Sequence, residues 1–265
     1  MAVATFDVNN FVIDRIIRGV GLSQKDGSAL FSINQIQNAS LNCSSESTDA
    51  VDALGTPIAT FYRAKNAEFS AENALFDMNL MATQMGTTKK VAGSGAKILT
   101  PAMETLEYAG EPTATLKHTP KTIPTEAYKL NGDSTFGIKY KKGSLANETD
   151  FTLSGTTFTF PTGLTNGDQI FVMYEYEAEK AVSVVNSAVE FPKGCRFVME
   201  VLGCDVCDQS TLVHAYVVFN NFKLSPDFDW SIATDGAHPF SGKAQQDYCD
   251  KEKKLFSIII PDEAE

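Results

Sequence analysis

The sequence lacks several features that would place it in a familiar class of protein. None of its apolar runs approaches the ~18 consecutive residues that a membrane helix needs, so we expect no membrane span. Residues 1–10 carry no basic segment followed by an apolar one, so we expect no secretory leader. Basic residues are also scarce, with 22 Lys and Arg against 33 Asp and Glu among 265 residues. The net charge of -11 argues against a protein that grips nucleic acid through phosphate contacts.

Motifs of catalysis are missing as well. The sequence contains no G-x-S-x-G nucleophile elbow, and residues 93–97 lack the spacing of a phosphate-binding loop. The three histidines, at 118, 214 and 238, lie far apart in the chain. His214 interrupts an apolar strand pattern, where a hydrogen-bonded core histidine is the favoured interpretation. We therefore predict that the protein is not an enzyme and binds no cofactor.

Cysteine is present, but its spacing does not indicate a disulfide framework. The five cysteines are an odd number and unevenly placed, which favours free thiols made in a reducing cytoplasm. Cys204 and Cys207 form a C-x-x-C pair in a predicted hairpin turn and are weak candidates for zinc ligands. A structural zinc site needs about four ligands, so Cys195, Cys249 or His214 would have to complete it. No second paired motif is present, and ordinary thiols are the favoured interpretation.

Most of the chain shows the patterns of short strands. Residues 9–20 are an exception, because their apolar side chains have a helix-like spacing that predicts a short helix. Strand patterns at 30–43 and 57–69 flank a polar, acidic segment, residues 44–55, which is longer than the ~2–5 residues of most hairpin loops. We predict that this loop is a contact arm. Its predicted contact residues are Glu46, Asp49, Asp52 and Leu54.

The clearest helix pattern covers residues 70–86. Ser70 can cap the first turn, Glu72 lies where the helix dipole favours negative charge, and Gly86 supplies a stop. Apolar residues recur at three- and four-residue steps and predict a face that packs on a core sheet. The residues of this face are Leu75, Met78, Met81 and Met85. A binding groove is the alternative, but methionine commonly fills irregular gaps in a core.

A run of short strands with regular turn signals occupies residues 112–178. It predicts a small, Ig-like β-sandwich inserted into a main domain formed by residues 1–111 and 179–265. The insertion has a net charge of -1, with 6 basic and 7 acidic residues, so the acidity belongs to the main domain. The sequence thus predicts a mainly β protein with one packed α-helix and an inserted β-domain. Further strands of the main domain are predicted at 196–202, 212–222, 228–232 and 255–260.

One combination of elements has a wider likeness. Gly55-Thr56-Pro57 opens a strand pattern through residue 69 that leads straight into the predicted helix. The closing region, residues 230–260, contains Gly236-Ala237-His238-Pro239 and a terminal strand pattern. With these elements the sequence resembles the major tail tube proteins of tailed bacteriophages. The resemblance covers most of residues 25–110 and 180–265 and implies a tail-tube-like β-sandwich or barrel.

The resemblance implies a structural virion protein whose partners are copies of itself and other phage tail proteins. Subunits of this family form hexameric rings with one continuous inner barrel, and the rings stack into a tube. Residues 44–55 would reach the neighbouring ring, and residues 112–178 would decorate the outside. DNA would pass through the tube without specific binding, which an acidic wall favours because it repels phosphates. The protein would then lie in the virion tail after assembly in the host cytoplasm.

Other classes of protein stay open at this point. A different virion shell or decoration protein would have a similar composition. An adhesin-like binding module would use residues 112–178 as its recognition domain. An enzyme or metalloprotein is the remaining alternative, although the sequence offers no active site for it.

Overall fold

The computed structural model describes residues 8, 10–248 and 251–261. The chain divides into two units, which we call the main unit (Met1–Lys89 with Val184–Glu265) and the inserted unit (Lys90–Ser183). The predicted boundaries at 112 and 178 therefore lie inside the inserted unit. The difference arises because a strand at 98–107, which the sequence assigns to the main domain, pairs along its whole length with a strand at 169–178.

The mainly β class is confirmed, with one α-helix among the described residues. The helix, α1, covers Met78–Gln84. The strands are β1 (Phe11–Ser23), β2 (Ala29–Ile33), β3 (Ile36–Val51), β4 (Pro57–Asn73), β5 (Lys90–Val91), β6 (Ile98–Glu107), β7 (Thr113–Thr115), β8 (Glu126–Leu130), β9 (Phe136–Lys142), β10 (Asp150–Ser154), β11 (Thr157–Thr159), β12 (Gln169–Ala178), β13 (Val182–Ser183), β14 (Gly194–Asp205), β15 (Asp208–Leu224), β16 (His238–Ala244) and β17 (Ser257–Ile259).

The main unit is built on one sheet with the order β2-β1-β14-β15-β16-β4-β3, and β17 pairs with β15. Phenylalanines from four strands meet on its buried face. The ring of Phe69 lies 5.6 Å from that of Phe197 and 5.9 Å from those of Phe219 and Phe240, measured between centroids. Such tilted ring pairs add to the stabilisation that burial of the side chains provides.

The helix predicted at residues 9–20 is wrong, because this segment forms strand β1. Its β-branched residues suit a strand, and it pairs with β14 from Phe11 to Ser23. The glycines that suggested a helix end have another purpose. A Cβ atom at Gly21 would lie 2.2 Å from the ring of Phe31, so glycine leaves room for that ring in the core.

The helix predicted at 70–86 is real only in its last part. Ser70 and Glu72 belong to β4, where Ser70 pairs with both Ser40 and Ser241. The strand hydrogen bonds outweigh the helical spacing of this stretch. Asp77 is the N-cap instead, and its Oδ1 accepts a hydrogen bond from the backbone N–H of Leu80 at 2.6 Å. Asp77 rather than Ser70 therefore caps the helix.

The predicted helix face changes with this shift. Leu75 precedes the helix and is 59% exposed, so its predicted packing on the core sheet is wrong. Met78 is half-buried at the first helical position, Met81 is buried, and Met85 is the half-buried C-cap. Leu80, which the sequence pattern left out, belongs to the main core cluster.

Two predicted strands at the end of the chain also differ. Residues 225–237 form an irregular loop rather than a strand at 228–232, because no described strand pairs with them. Of the alternating apolar residues there, Trp230 packs on the ring of Phe76, whereas Ile232 is exposed. The terminal strand is shorter than predicted, and β17 pairs with Tyr216, Val217 and Val218 of β15.

The inserted unit has its own sheet, with the order β6-β12-β8-β9-β10-β11-β7. Phe151, Phe158, Ile170 and Val172 form the centre of a separate core and are fully buried. The short strands β5 and β13 pair with each other where the chain enters and leaves the unit. An Ig-like classification of this unit stays a prediction.

Candidate assembly surfaces

The segment predicted as a loop arm is an ordered β-hairpin. We call residues 44–66 the arm. Within it β3 pairs with β4 from Ser44–Asn66 down to Val51–Pro57. The prediction of an unpaired loop is wrong because β3 continues through residue 51 instead of ending near 43. Every residue of the arm is exposed, so it projects from the sheet as a two-stranded ribbon.

The tip of the arm is a tight, hydrogen-bonded turn at Asp52. The Asp52 carboxylate accepts hydrogen bonds from the backbone N–H groups of Leu54 at 2.8 Å and Thr56 at 2.9 Å. These bonds, with that of Thr56 the stronger influence, lower the pKa of Asp52. Gly55 adopts a φ of 84°, which glycine tolerates without strain. The turn therefore presents Leu54, 92% exposed, in a defined position.

Apolar side chains lie on both faces of the arm. Tyr62 is 71% exposed on one face, and its neighbour Phe61 is exposed on the other. Ile58, 72% exposed, lies at the irregularity of pairing beside the turn. A two-stranded ribbon with no core of its own is only marginally stable in water. Surface this apolar, on an element this thin, is typical of a segment that another protein surface covers.

The predicted contact residues and the missed ones divide between the two strands of the arm. Glu46 and Asp49 are exposed on β3, and Asp52 and Leu54 are exposed at the turn. The apolar residues of β4 were not predicted as contacts. Their signal was available, because the stretch at 57–62 has apolar residues at both parities and no charged residue.

A bulge separates the arm from the rest of the hairpin. The pairing shifts between Ser44 and Glu46, opposite Ala64 and Lys65. Ala64 has a φ of 49°, in the left-handed region that residues other than glycine seldom adopt. Bulges bend and twist the strand that carries them, so this site sets the direction in which the arm leaves the sheet.

The outer edge of β3 is open. Among the described strands β3 pairs only with β4, and its sixteen residues include no proline, lysine or arginine. Proteins commonly block exposed edges with such residues to prevent pairing with other chains. The edge strand β6 of the inserted unit carries Pro101 and follows that practice. The long edge of β3 is therefore available for pairing with another chain.

A second apolar surface lies at the other end of β4. We call Leu75, Phe76, Trp230 and Ile232 the ledge. The rings of Phe76 and Trp230 stack with centroids 4.4 Å apart and an interplanar angle of 14°. Ile232 is 84% exposed, and Leu75 is also exposed. The ledge was missed because the sequence placed Leu75 on a buried helix face and Trp230 in a strand.

A buried polar network supports the ledge from below. His238 is fully buried, and its ring lies 5.3 Å from the ring of Phe76. Its Nδ1 accepts a hydrogen bond from the Asp77 N–H at 3.4 Å, and its Nε2–H donates to Gln84 Oε1 at 2.8 Å. Burial lowers the pKa of His238, and the Asp77 charge opposes that shift only in part. The imidazole is therefore neutral and uses both nitrogens.

The inserted unit has a groove of about 680 Å³ with a basic lining. The rings of His118 and Tyr176 stack beside it, 3.8 Å apart and parallel within 1°. Lys97 and Lys121 pair with Glu179 and Glu177 at 3.0 and 2.9 Å. Two more lysines, Lys117 and Lys180, line the groove. The groove thus combines positive charge with a flat aromatic surface.

Among the described residues, no further ligands join the C-x-x-C pair to form a metal site. Cys204 lies near the end of β14 and Cys207 lies in the β14–β15 turn. Cys195 lies nine residues before Cys204 along β14, about 30 Å away. Burial raises the pKa of Cys195 to about 12, so it is a core thiol. Nδ1 of His214 faces Glu200 Oε1 at 3.0 Å without hydrogen-bond alignment. Cys249 lies outside the described residues, among which no three His, Cys, Asp or Glu side chains form a potential ligand cluster.

The sequence of the chain was matched to a known protein family. The model of the YomU/Tube protein family matches residues 17–258. The chain belongs to the YomU/Tube protein family. The matched range includes the arm, the ledge and the whole inserted unit. No curated protein matches the chain.

Membership of the YomU/Tube family confirms the resemblance to phage tail tube proteins. The family is a phage structural family of tube-like proteins, which are typically not enzymes. A YomU/Tube protein is thus a phage-derived structural component, in agreement with the exposed arm and the open edge. In the part of the chain that the structure describes, no helix of this YomU/Tube protein is long and apolar enough to cross a membrane.

Proposed function

We propose that the protein is the repeating subunit of a phage tail tube, which forms hexameric rings that stack into a conduit for DNA. The observation that carries the proposal is the arm, an ordered ribbon that exposes apolar residues on both faces and has no core of its own. Such an element is only marginally stable alone, and a copy of the protein that covers it would stabilise it. Membership of the YomU/Tube family supports a tube as the assembly. The number of six subunits in a ring is taken from the resemblance to tail tube proteins.

Ring closure requires a second contact, and the main sheet offers one. Its edge strands are β2 at one end of the order and β3 at the other. Pairing of one copy's β3 edge with the β2 side of its neighbour would continue the sheet from subunit to subunit. A head-to-tail contact of this kind closes into a ring when its rotation divides a full turn.

The charge of the main unit suits a conduit that DNA passes without binding. The main unit has 13 basic and 22 acidic residues, a net charge of -9, and the inserted unit has a net charge of -2. Each phosphate that a protein neutralises adds to the affinity for DNA. A wall with an acidic excess repels the polymer and leaves its counterions in place.

Electron microscopy of the purified protein tests the proposal. We expect rings and tubes whose abundance rises with protein concentration. A variant that lacks residues 45–65, with Ser44 joined to Asn66 by Asn-Gly, should fold but form no tubes. Ser44 and Asn66 are paired, so a two-residue turn can connect them without a change of register.

A matched control separates loss of the arm from the general loss of exposed apolar surface. Leu145→Ser removes an equally exposed apolar side chain, 76% exposed, from the inserted unit and should leave tube formation unchanged. Circular dichroism and the melting temperature verify that the shortened variant is folded. A wild-type protein that stays monomeric at high concentration, or normal tubes from the variant without the arm, would overturn the proposal.

An adhesin-like binding module is a second candidate, and the basic groove of the inserted unit favours it. Lysines beside a stacked His118–Tyr176 pair suit an anionic saccharide, whose charge and flat sugar face they complement. Calorimetric titration of the whole protein with oligogalacturonate tests this function. Binding that is lost in the Lys117→Glu/Lys180→Glu variant would support it, and no binding to the wild type would remove it.

A further inference from the structure

We propose that the ledge of one subunit is the surface that receives the arm of the next subunit. The inference rests on the proposed function, since it names the partner of the arm within the same assembly. It commits to a second copy of this chain as the occupant of the ledge.

The tip of the arm and the ledge lie at opposite ends of strand β4. The tip lies where β4 begins at Pro57, and the ledge begins just after β4 ends at Asn73. Seventeen residues at about 3.3 Å each separate them by about 50 Å. The arm therefore cannot reach the ledge of its own chain. Two different surfaces at opposite ends of one strand make a head-to-tail contact that repeats along that strand's direction.

The exposed side chains of the arm and of the ledge match in character. Leu54, Ile58 and Tyr62 of the arm are apolar groups that protrude into solvent. The ledge offers a stacked aromatic pair bordered by the exposed Leu75 and Ile232. Aromatic side chains fixed in position, with aliphatic groups against them, are the usual centre of a protein interface. Contact between the arm and the ledge would thus remove apolar side chains of both surfaces from water.

The arm and the ledge also carry opposite charges. The loop that carries Trp230, residues 225–237, contains Asp227, Asp229 and Asp235 and no basic residue. The β4 side of the arm, residues 57–66, carries Arg63 and Lys65 and no acidic residue. The acidic residues of the arm lie on β3 and at the turn. Complementary charge therefore orients the arm with β4 toward the ledge and β3 away from it.

The aromatic rings of the ledge are held by packing within the subunit itself. The ring of Phe76 lies between Trp230 and the buried His238, and His238 is hydrogen-bonded to helix α1 through Gln84. A surface that is already ordered loses little conformational entropy on binding.

Disulfide cross-linking between two different variants tests the contact. One protein carries Ile58→Cys and the other carries Ile232→Cys, both in a background with Cys43, Cys207 and Cys249 replaced by serine. After the two are mixed under assembly conditions and oxidised, we expect a covalent dimer as the main product. The matched control replaces Ile232→Cys with Leu145→Cys, on an equally exposed site, and should give only background dimer.

A charge exchange gives an independent test. Arg63→Glu should raise the concentration needed for tube formation several-fold, and Asp229→Lys in the same chain should restore part of the loss. Ile232→Asp should abolish stacking while rings persist. Ring formation by these variants, seen by electron microscopy, verifies that they are folded.

The outcomes separate this inference from the proposed function. If the wild-type protein forms no rings or tubes, the proposed function fails, and this inference fails with it. If tubes form but the Ile58→Cys and Ile232→Cys proteins give only background dimer, the ledge is not the acceptor while the tube function stands. A strong cross-link from Ile58→Cys to Leu145→Cys would place the arm on the inserted unit and would also overturn the inference.

Discussion

At the scale of single residues, His238 makes the stability of the main unit depend on pH. The unfolded chain binds a proton near the ordinary histidine value of 6.5, whereas the buried ring resists it because its pKa is lowered. Stability is therefore complete above that value and is lost as the pH falls through 6.5 toward the folded pKa. We expect the melting temperature of the wild type to fall between about pH 8 and about pH 5.5, and to fall less in His238→Gln.

The control for this prediction is His118→Gln, which changes an exposed histidine of the inserted unit. It should leave the pH dependence of the wild type intact. An identical slope in His238→Gln and in the wild type would contradict the assignment to His238.

Tyr174 makes a comparable prediction in the inserted unit. Its hydroxyl donates to the buried carboxylate of Glu104, which also accepts from the Lys117 N–H. Burial first, and the bond to Glu104 second, raise the pKa of Tyr174 to about 12. Tyr174→Phe leaves a buried carboxylate short of a donor and should lower the free energy of unfolding by about 1–3 kcal/mol. Chemical denaturation of the full chain measures the change.

Tyr128 provides the matched comparison, because its hydroxyl donates to Glu126 at 2.7 Å on a half-exposed surface. Water can replace the lost donor there. Tyr128→Phe should therefore cost clearly less than Tyr174→Phe, and equal costs would show that burial of Glu104 is unimportant.

At the scale of elements, the short helix α1 depends on its cap. Asp77→Ala removes the acceptor for the Leu80 N–H and should lower the free energy of unfolding by about 0.5–2 kcal/mol. Asp77→Asn keeps an acceptor at this position and should retain most of the stability of the wild type. Thermal or urea denaturation measures both variants. Equal stability of Asp77→Ala and the wild type would contradict the role of the cap.

The same helix explains what the sequence can and cannot predict. Helical spacing runs back to residue 74 and a plausible cap stands at Ser70, so the local pattern favours a long helix. Ser70 lies instead between Ser40 and Ser241 in the sheet, and these partners are 30 and 171 residues away. Pairing over such distances leaves no trace in a window of neighbouring residues. The run of short strands within residues 112–178 could be predicted, because turn signals that are local in the sequence separate several of these strands.

The candidate site divides in the same way. Length and polarity identify the region of the arm, because both are local properties of residues 44–55. The ledge escapes prediction, because Phe76 and Trp230 come together only when two loops from distant parts of the chain meet. Family membership indicates a tube-like structural protein, but it does not identify the residues that form contacts between subunits.

At the scale of the whole molecule, the net charge predicts whether the protein binds DNA. Since both units have an acidic excess, we expect no retardation of duplex DNA in a gel, even at about 50 mM salt where weak electrostatic binding is strongest. Tubes and free subunits should behave alike. Tight binding at low salt that weakens steeply as salt is added would contradict a passive conduit.

The position of the arm's two cations gives a simple way to follow polymerisation. Arg63 and Lys65 are the only basic residues between Lys25 and Lys89, and both lie on the exposed ribbon. Trypsin should cut free subunits there early and yield two characteristic fragments, whereas a copy whose ribbon is covered should resist. The rate at which those fragments appear would then report the fraction of subunits that have joined a filament.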